Sequence, residues 1–282
     1  MVEQESFRRY VAHIILWIGI AIVAFPVYLA FIASTQDNAV IANGQMSLLP
    51  GGHFFEVYYQ TIFVGTSGST REPVGNMMLN SLVMALLIAV GKIAISIISA
   101  YAIVYFRFPF RMAIFWIIFI TLMLPVEVRI YPTYKIVADL HMLDSYAGLS
   151  LPLIASATAT LLFRQFFMTV PDELAEAARV DGAGPMRFFW DVLMPLSKTT
   201  MAALFVIQFI YGWNQYLWPL LITTDESMYT TVIGIKRMIV GSDAANEWNL
   251  IMATAILAML PPAVVVLLMQ KWFVKGLVET EK

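Results

Sequence analysis

Long apolar runs alternate with short polar stretches along almost the whole chain. A helix needs about 20 mainly apolar residues to cross the hydrocarbon core of a bilayer, and six segments meet this requirement. These segments are approximately 11–33, 77–105, 112–128, 146–168, 199–222 and 250–272. The pattern therefore predicts an all-α integral membrane fold, with six transmembrane helices in a single domain that covers residues 1–282.

The first apolar run follows Arg8 and Arg9, which is also the charge pattern of a signal peptide. Its apolar part has about 22 residues, whereas the apolar region of a signal peptide has about 7–15. No convincing cleavage site of small residues follows it. We therefore interpret this run as a transmembrane helix that the protein retains.

The composition agrees with a membrane protein and argues against several other functions. Of the 282 residues, 60% are hydrophobic and only 13% are charged, whereas soluble domains carry about 25% charged residues. The net charge of −2 gives no sign of a nucleic-acid partner. The absence of cysteine excludes thiol chemistry, and the spacing of His13, His53 and His141 does not suit a metal site.

Lysine and arginine are unevenly distributed between the two sides of the predicted bundle. With the N-terminus inside, eleven of the 17 fall in cytoplasmic segments or at the cytoplasmic ends of spans, five in outer segments and one, Lys92, in the interior of a span. Positive charges concentrate in the cytoplasmic loops of membrane proteins, so both termini are predicted to be cytoplasmic. The outer connections are then 34–76, 129–145 and 223–249.

A polar stretch from Pro171 to Lys198 interrupts the apolar pattern on the predicted cytoplasmic side. Gly182 is placed to end a first helix, because glycine readily adopts the left-handed cap. A second helix is predicted to begin at Gly184-Pro185, and Pro195 is predicted to mark the turn back into the membrane. The stretch therefore predicts an amphipathic helix–turn–helix elbow, which either lies on the bilayer or docks on a soluble partner.

The elbow also carries a specific spacing of residues. Glu176-Ala177-Ala178 is followed after three residues by Gly182, and after nine more by the segment 192–195, which reads VLMP. This resembles the signature EAA-x3-G-x9-I-x-L-P of permease subunits of bacterial binding-protein-dependent ABC importers. Valine replaces isoleucine and methionine replaces leucine, both with little change in side-chain volume. The glycine, the proline and their position between two predicted spans agree with the signature.

The resemblance implies a role for the elbow and a set of partners. In that family the elbow is a coupling helix that docks on a separate ATPase subunit. The expected coupling residues are Glu176, Ala177, Ala178, Gly182 and Pro195. The implied partners are a second, non-identical permease, two copies of an ABC ATPase, a periplasmic substrate-binding protein and membrane lipid. The chain has no GxxxxGK[ST] phosphate loop, so ATP and Mg are expected on the ATPase and no cofactor on this chain.

Further resemblances concern the transported solute. The Trp213-Asn214 pair resembles the sugar-importer branch that includes the maltose permeases. Residues 122–133, 143–174 and 209–222 resemble permeases of sn-glycerol-3-phosphate importers more closely. This resemblance implies translocation of sn-glycerol-3-phosphate, and by extension of related glycerophosphodiesters, across the bacterial inner membrane by alternating access. Import of a neutral sugar is the alternative.

Four polar residues in or beside the spans are candidates for the translocation path. Lys92 lies near the middle of the second span, where a charge costs several kcal/mol unless it is paired or hydrated; it either faces the path or pairs with a neighbouring helix. Arg129 either grips a phosphate group through its planar donor fork or pairs with Glu127 at the interface. Asn214 and Gln215 either line the path or hold helices together.

Two functions from other classes are disfavoured. A secondary transporter driven by an ion gradient is expected to carry Asp or Glu inside its spans, and the interiors of the predicted spans contain none. A membrane-embedded enzyme needs convergent titratable groups, and the spans offer only Lys92 with border residues such as Glu127 and His13. Neither function explains the spacing in the elbow, so the chain is predicted not to be an enzyme.

Overall fold

The computed structural model describes residues 2–65, 71–121, 126–239 and 246–278. Within these ranges the chain forms helices and no strands. The α-helices are α1 Val2–Ala33, α2 Asn38–Ala42, α3 Phe54–Tyr59, α4 Val74–Tyr105, α5 Arg111–Ile120, α6 Val126–Asp139, α7 Tyr146–Ser150, α8 Ala157–Thr169, α9 Asp172–Val180, α10 Pro185–Phe188, α11 Met194–Leu196, α12 Lys198–Trp213, α13 Leu217–Ile222, α14 Thr231–Met238 and α15 Trp248–Val278. Short 3-10 or π-helical turns are Gln60–Val64, Leu151–Leu153, Phe189–Leu193 and Glu226–Met228.

The chain divides into two compact units. The first contains Met1–Met78 and Ile233–Leu260, and the second contains Leu79–Val232 and Pro261–Lys282. Each unit has apolar clusters of its own.

In the first unit, apolar side chains of the helices α4, α14 and α15 pack together around Ile251. Asn38, the first residue of α2, secures this arrangement. Its amide group donates to the carbonyl of Asn246 at 3.1 Å, and its side-chain oxygen accepts from the backbone amide of Trp248 at 2.8 Å. The short helix α2 is thereby tied to the beginning of α15.

In the second unit, α4 and α12 approach each other closely. Gly212 of α12 lies against Ala85 of α4, and a Cβ atom at Gly212 would stand 2.9 Å from the Cα atom of Ala85. Phe209 and Trp213 pack beside this contact. Small residues allow helix backbones to approach in lipid, so this pair determines how near α12 lies to α4.

Also in the second unit, Asp144 joins two connections. One carboxylate oxygen accepts from the backbone amides of Thr224 and Asp225 at 2.6 and 2.9 Å, and the other accepts from the Thr224 hydroxyl at 2.6 Å. Burial acts to raise the pKa of Asp144, but these hydrogen bonds outweigh it and hold the pKa below its usual value. The carboxylate therefore fixes the turn before α7 to the one after α13.

Three helical segments are long and apolar enough to cross a membrane. They are Arg9–Ala33, Val74–Tyr105 and Trp248–Lys271. Two bent pairs also qualify when each is taken as one span: Tyr146–Leu153 with Ala157–Thr169, bent by 50°, and Pro185–Leu196 with Lys198–Trp213, bent by 70°. The described residues thus provide up to five spans by length and composition, with Arg111–Ile120 as a shorter apolar helix. The count of six spans stays a prediction.

Several predicted boundaries differ from the observed helices. The stretch 129–145, predicted as a connection, contains most of α6, which continues through Pro132. A proline inside a helix removes the hydrogen bond of its own amide and crowds the carbonyl four residues earlier, which usually kinks or ends the helix, so the sequence predicts a connection at Pro132. The fourth predicted span is interrupted between Leu153 and Ala157, and the fifth is divided at Asn214–Tyr216. Residues 122–125 of the third predicted span lie outside the described residues.

The contact between α4 and α12 yields a prediction about stability. We expect Gly212→Ala to lower the melting temperature of the detergent-solubilised protein, because the added methyl must displace Ala85 at a cost of about 1–3 kcal/mol. Gly19→Ala is the matched control, since Gly19 also lies in a helix but has nothing within 4 Å of its Cβ position. It should leave the melting temperature unchanged or raise it slightly, because alanine favours a helix. Equal melting temperatures for both variants would contradict the close contact.

Candidate coupling surface and translocation cleft

The polar elbow, residues 171–198, contains two helical segments as predicted: α9, and a second segment that begins with α10. The helix α9 ends before Gly182, whose φ of +75° is in the left-handed region, so the predicted role of this glycine as a helix stop is confirmed. Gly184 precedes α10, which begins at Pro185 as predicted. The predicted turn at Pro195 is wrong by two residues, because Pro195 lies within α11 and the chain bends at Ser197. The helical segment runs without a break from Pro185 to Leu196 and the next helix begins at Lys198, so Pro195 stands in the last turn before the bend.

An aromatic cluster anchors the second half of the elbow to α4 and α8. Phe188 and Phe189 are buried in it beside Tyr101 of α4, and the ring centroids of Tyr101 and Phe189 lie 4.9 Å apart. The Tyr101 hydroxyl donates a hydrogen bond of 2.7 Å to the carbonyl of Pro185. The buried members of this cluster are Ile97, Ala100, Tyr101, Ala159, Phe163, Phe167, Phe188, Phe189, Leu193 and Leu204. The second half of the elbow is therefore packed against α4, α8 and α12.

The opposite side of the elbow is exposed and mixes apolar with charged groups. Glu176 and Ala177 of the EAA segment are exposed, whereas Ala178 packs partly against the aromatic cluster. Val180 is 87% exposed and Trp190 is 58% exposed. Large exposed apolar side chains rimmed by charges are typical of protein interaction surfaces. Gly182 and Pro195, the other two predicted coupling residues, are also exposed.

The second unit also contains an open cleft of about 580 Å³. We call it the translocation cleft because it holds residues predicted for the translocation path. It is lined by Lys92 and Ser99 of α4, Arg129 of α6, Thr158 of α8 and Gln208 of α12. The structure therefore brings two of the four predicted path residues, Lys92 and Arg129, to one cleft, although they are 37 positions apart in the sequence.

Lys92 is almost fully buried, with 6% of its surface exposed. Its ammonium group donates to Oε1 of Gln208 at 3.0 Å and lies 3.6 Å from the centroid of the Tyr211 ring. Both contacts offer partial negative charge, the first from an amide oxygen and the second from the ring face. Lys92 therefore lines this cleft and also pairs with a neighbouring helix, whereas its role on the translocation path stays a prediction.

Of the other three candidates for the translocation path, one lines the cleft and two do not. Arg129 is exposed and lines the cleft, but the side chain of Glu127, its predicted partner, lies outside the described residues. Asn214 is exposed at the end of α12, and the amide of Gln215 donates to the carbonyl of Tyr211 at 3.1 Å. Neither Asn214 nor Gln215 is among the described residues that line the cleft. Their predicted role on the path stays a prediction.

The interruption of the fourth predicted span opens onto the same cleft. Ala155, Ser156, Ala157 and Thr158 line it, and Ser156 caps α8 by accepting a hydrogen bond from the amide of Ala159 at 3.3 Å. The N-terminus of an α-helix carries a partial positive charge, since its first amides have no acceptor within the helix. The N-terminus of α8, with its partial positive charge, therefore faces the cleft.

The sequence pattern did not indicate that Tyr211 or the hydroxyl groups of Ser156 and Thr158 lie at the cleft. Tyr211 follows Gln208 by three positions, which places both on one face of α12. That spacing was an available signal, but an aromatic residue in an apolar helix gives no sign of a cation above its ring. Ser156 and Thr158 belong to a run of small residues that equally suits close helix packing.

Comparison with known proteins identifies the family of this chain. Residues 92–279 match the family described as the binding-protein-dependent transport system inner membrane component. The sn-glycerol-3-phosphate transport system permease protein UgpE of Brucella melitensis and that of Agrobacterium fabrum are each 60% identical to the chain over 282 residues, which is 100% of both sequences. The UgpE protein of Yersinia pestis is 59% identical over the same length.

A solved structure has the same fold. It is that of a bacterial ABC transporter involved in the import of the acidic polysaccharide alginate, and the match has a TM-score of 0.81. The alignment covers 96% of this chain and 98% of the other, with 22% sequence identity. At that identity the likeness concerns the fold alone.

The chain therefore belongs to the inner-membrane components of binding-protein-dependent transport systems. It is an ABC importer permease of the UgpE type, and so a transport subunit and not an enzyme. It is a multi-pass protein of the inner membrane and one component of an importer with several proteins. The family predicted from the EAA segment is confirmed, as is the all-α permease fold.

The hydrogen bond between α4 and the elbow can be tested by hydrogen exchange. We expect Tyr101→Phe to speed exchange of the elbow amides about fivefold, because an unpaired Pro185 carbonyl costs about 1 kcal/mol. Tyr105→Phe is the matched control, since the hydroxyl of Tyr105 is 3.5 Å from the carbonyl of Phe167 and contributes little. Hydrogen–deuterium exchange with mass spectrometry is the measurement. Equal protection in both variants would show that the hydroxyl of Tyr101 does not anchor the elbow.

Proposed function

We propose that this chain is one of two non-identical permease subunits of an ATP-driven importer of sn-glycerol-3-phosphate. The observation that carries the proposal is the 60% identity to UgpE proteins over the full length of both chains. The match extends over the full length of both sequences, so every region of this chain has a counterpart in the UgpE proteins. The proposal extends to related glycerophosphodiesters, which share the same phosphate group.

The same proposal includes the partners. A periplasmic binding protein delivers the solute, and two copies of an ABC ATPase bind ATP and Mg, while this chain binds no cofactor. Both termini and the elbow face the cytoplasm, in agreement with the excess of Lys and Arg in those segments. The exposed side of the elbow, with Glu176, Ala177, Ala178, Gly182 and Pro195, docks on the ATPase. Its aromatic cluster gives the docked elbow a rigid connection to the membrane helices.

Transport then proceeds by alternating access. Closure of the ATPase pair on ATP moves the elbow, and the aromatic cluster conveys this movement to α4, α8 and α12. The cleft with Lys92 and Arg129 lies between these same helices and changes its access with them. The chain itself makes and breaks no covalent bond.

Purification of the chain with an affinity tag tests the proposal. The eluate should contain a second permease and an ATPase, and proteoliposomes with the binding protein should take up sn-glycerol-3-phosphate only when ATP is supplied. Maltose, a neutral sugar, serves as the comparison solute. Uptake of maltose and none of sn-glycerol-3-phosphate, or uptake by the lone chain without ATP, would contradict the proposal.

Gly182 provides a test of the coupling role. A side chain in the left-handed region costs roughly 1–2 kcal/mol, which asparagine reduces by local hydrogen bonding. Since nothing lies within 4 Å of the Cβ position of Gly182, substitutions there act on the backbone and not by crowding. Gly182→Val should lower ATP-dependent uptake several-fold, and Gly182→Asn should retain most of it. Equal uptake by both variants would show that the backbone turn at Gly182 does not serve coupling.

A further inference from the structure

The translocation cleft has an unusual balance of charge. Two cations, Lys92 and Arg129, line it, and none of its lining residues in the described part of the chain is an aspartate or a glutamate. Both residues carry a positive charge and line the same cleft, so the two like charges repel each other. The amide oxygen of Gln208 and the ring of Tyr211 supply Lys92 with dipoles and no full negative charge.

The remaining polar groups of the cleft also favour an anion. The N-terminus of α8 opens onto it at Ser156, Ala157 and Thr158. In membrane transporters, the N-termini of interrupted helices are directed at anionic solute groups, because the positive end of the helix stabilises negative charge in a medium of low dielectric constant. A buried cation, an exposed cation and a helix N-terminus therefore meet in one cleft.

From this arrangement we infer that the cleft binds the phosphate group of a small phosphate monoester during its passage, with Lys92 and Arg129 as the paired cations. The inference rests on the proposed function and specifies where this subunit contacts the solute. A phosphate dianion would balance both charges at once, whereas a neutral solute would leave them repelling each other. The ammonium group of Lys92 has three donors, so it keeps its bond to Gln208 while it donates to the phosphate.

The geometry also assigns a supporting role to Gln208 and Tyr211. An unsupported lysine inside a membrane protein extends toward water or a headgroup. The bond of 3.0 Å to Gln208 and the ring at 3.6 Å instead hold the ammonium group inside the bundle. Gln208, only 5% exposed, is thus a positioning residue that keeps the charge of Lys92 at the cleft.

The complete importer, reconstituted in proteoliposomes with both permeases, the ATPase and the binding protein, provides the test. Lys92→Met and Arg129→Gln should each lower ATP-dependent uptake of sn-glycerol-3-phosphate by about tenfold or more, the loss expected for one charge-assisted hydrogen bond. Lys92→Arg keeps the charge and should retain most of the uptake. Lys135→Gln removes a charge from the exposed side of α6 outside the cleft and should equal the wild type.

Thr158 gives a variant in which folding is preserved. An aspartate in the first turn of a helix stabilises the helix, so Thr158→Asp should assemble normally, yet its carboxylate would compete with phosphate for the cations. We expect Thr158→Asp to lose uptake about tenfold, with Lys135→Gln, outside the cleft, as the unaffected control. Unchanged uptake with Thr158→Asp, or with Lys92→Met, would overturn the inference.

Direct binding distinguishes a solute site from a lipid site. In nanodiscs of neutral phosphatidylcholine, sn-glycerol-3-phosphate should raise the melting temperature of the wild-type complex, glycerol should not, and Lys92→Met should abolish the shift. If phosphatidylglycerol stabilises the wild type through Lys92 and sn-glycerol-3-phosphate does not, the anion is a lipid headgroup and the inference fails.

If the wild type takes up no sn-glycerol-3-phosphate, the proposed function fails; if the wild type and all cleft variants take it up equally, only the inference fails.

Discussion

In a hydrocarbon solvent every backbone amide and carbonyl must find a partner within the protein, and the rest of this structure depends on that constraint. It explains why the described residues form helices, and it gives meaning to the places where the helices are interrupted. The break between Leu153 and Ala157 faces the cleft, where the Ser156 hydroxyl accepts from the amide of Ala159. At this break the irregular backbone therefore faces the cleft, and so does the N-terminus of α8.

A charged side chain inside the bundle must also find partners within the protein. Lys92 is tolerated inside the bundle because Gln208 and Tyr211 compensate part of its charge. No described residue that lines the cleft is an aspartate or a glutamate, and our proposal is that the positive charge attracts an anion. A fully paired lysine would stabilise the bundle and would offer nothing to a passing phosphate group.

The aromatic cluster connects this cleft to the elbow within one unit. Phe188 and Phe189 come from the elbow, Tyr101 comes from α4, and Phe163 and Phe167 come from α8. Close-packed interiors transmit displacement because they leave no room for neighbouring side chains to absorb it. We therefore expect a displacement of the exposed side of the elbow, around Glu176 and Val180, to displace the helices that line the cleft. The surface proposed to dock on the ATPase and the cleft proposed to bind solute are thus linked through α4, α8 and α12.

The sequence by itself determined the membrane class, the elbow with its glycine stop at Gly182, and the family, since each depends on local composition or on spacing along one segment. It also indicated Lys92 and Arg129, because a charge in an apolar setting is visible without a structure. Only the tertiary structure decided that these two residues share a cleft, that Gln208 and Tyr211 hold Lys92, and that α8 begins there. The reason is physical: a lysine inside a span can be satisfied by many partners, and the choice among them depends on which helices pack together, a property that no single segment encodes.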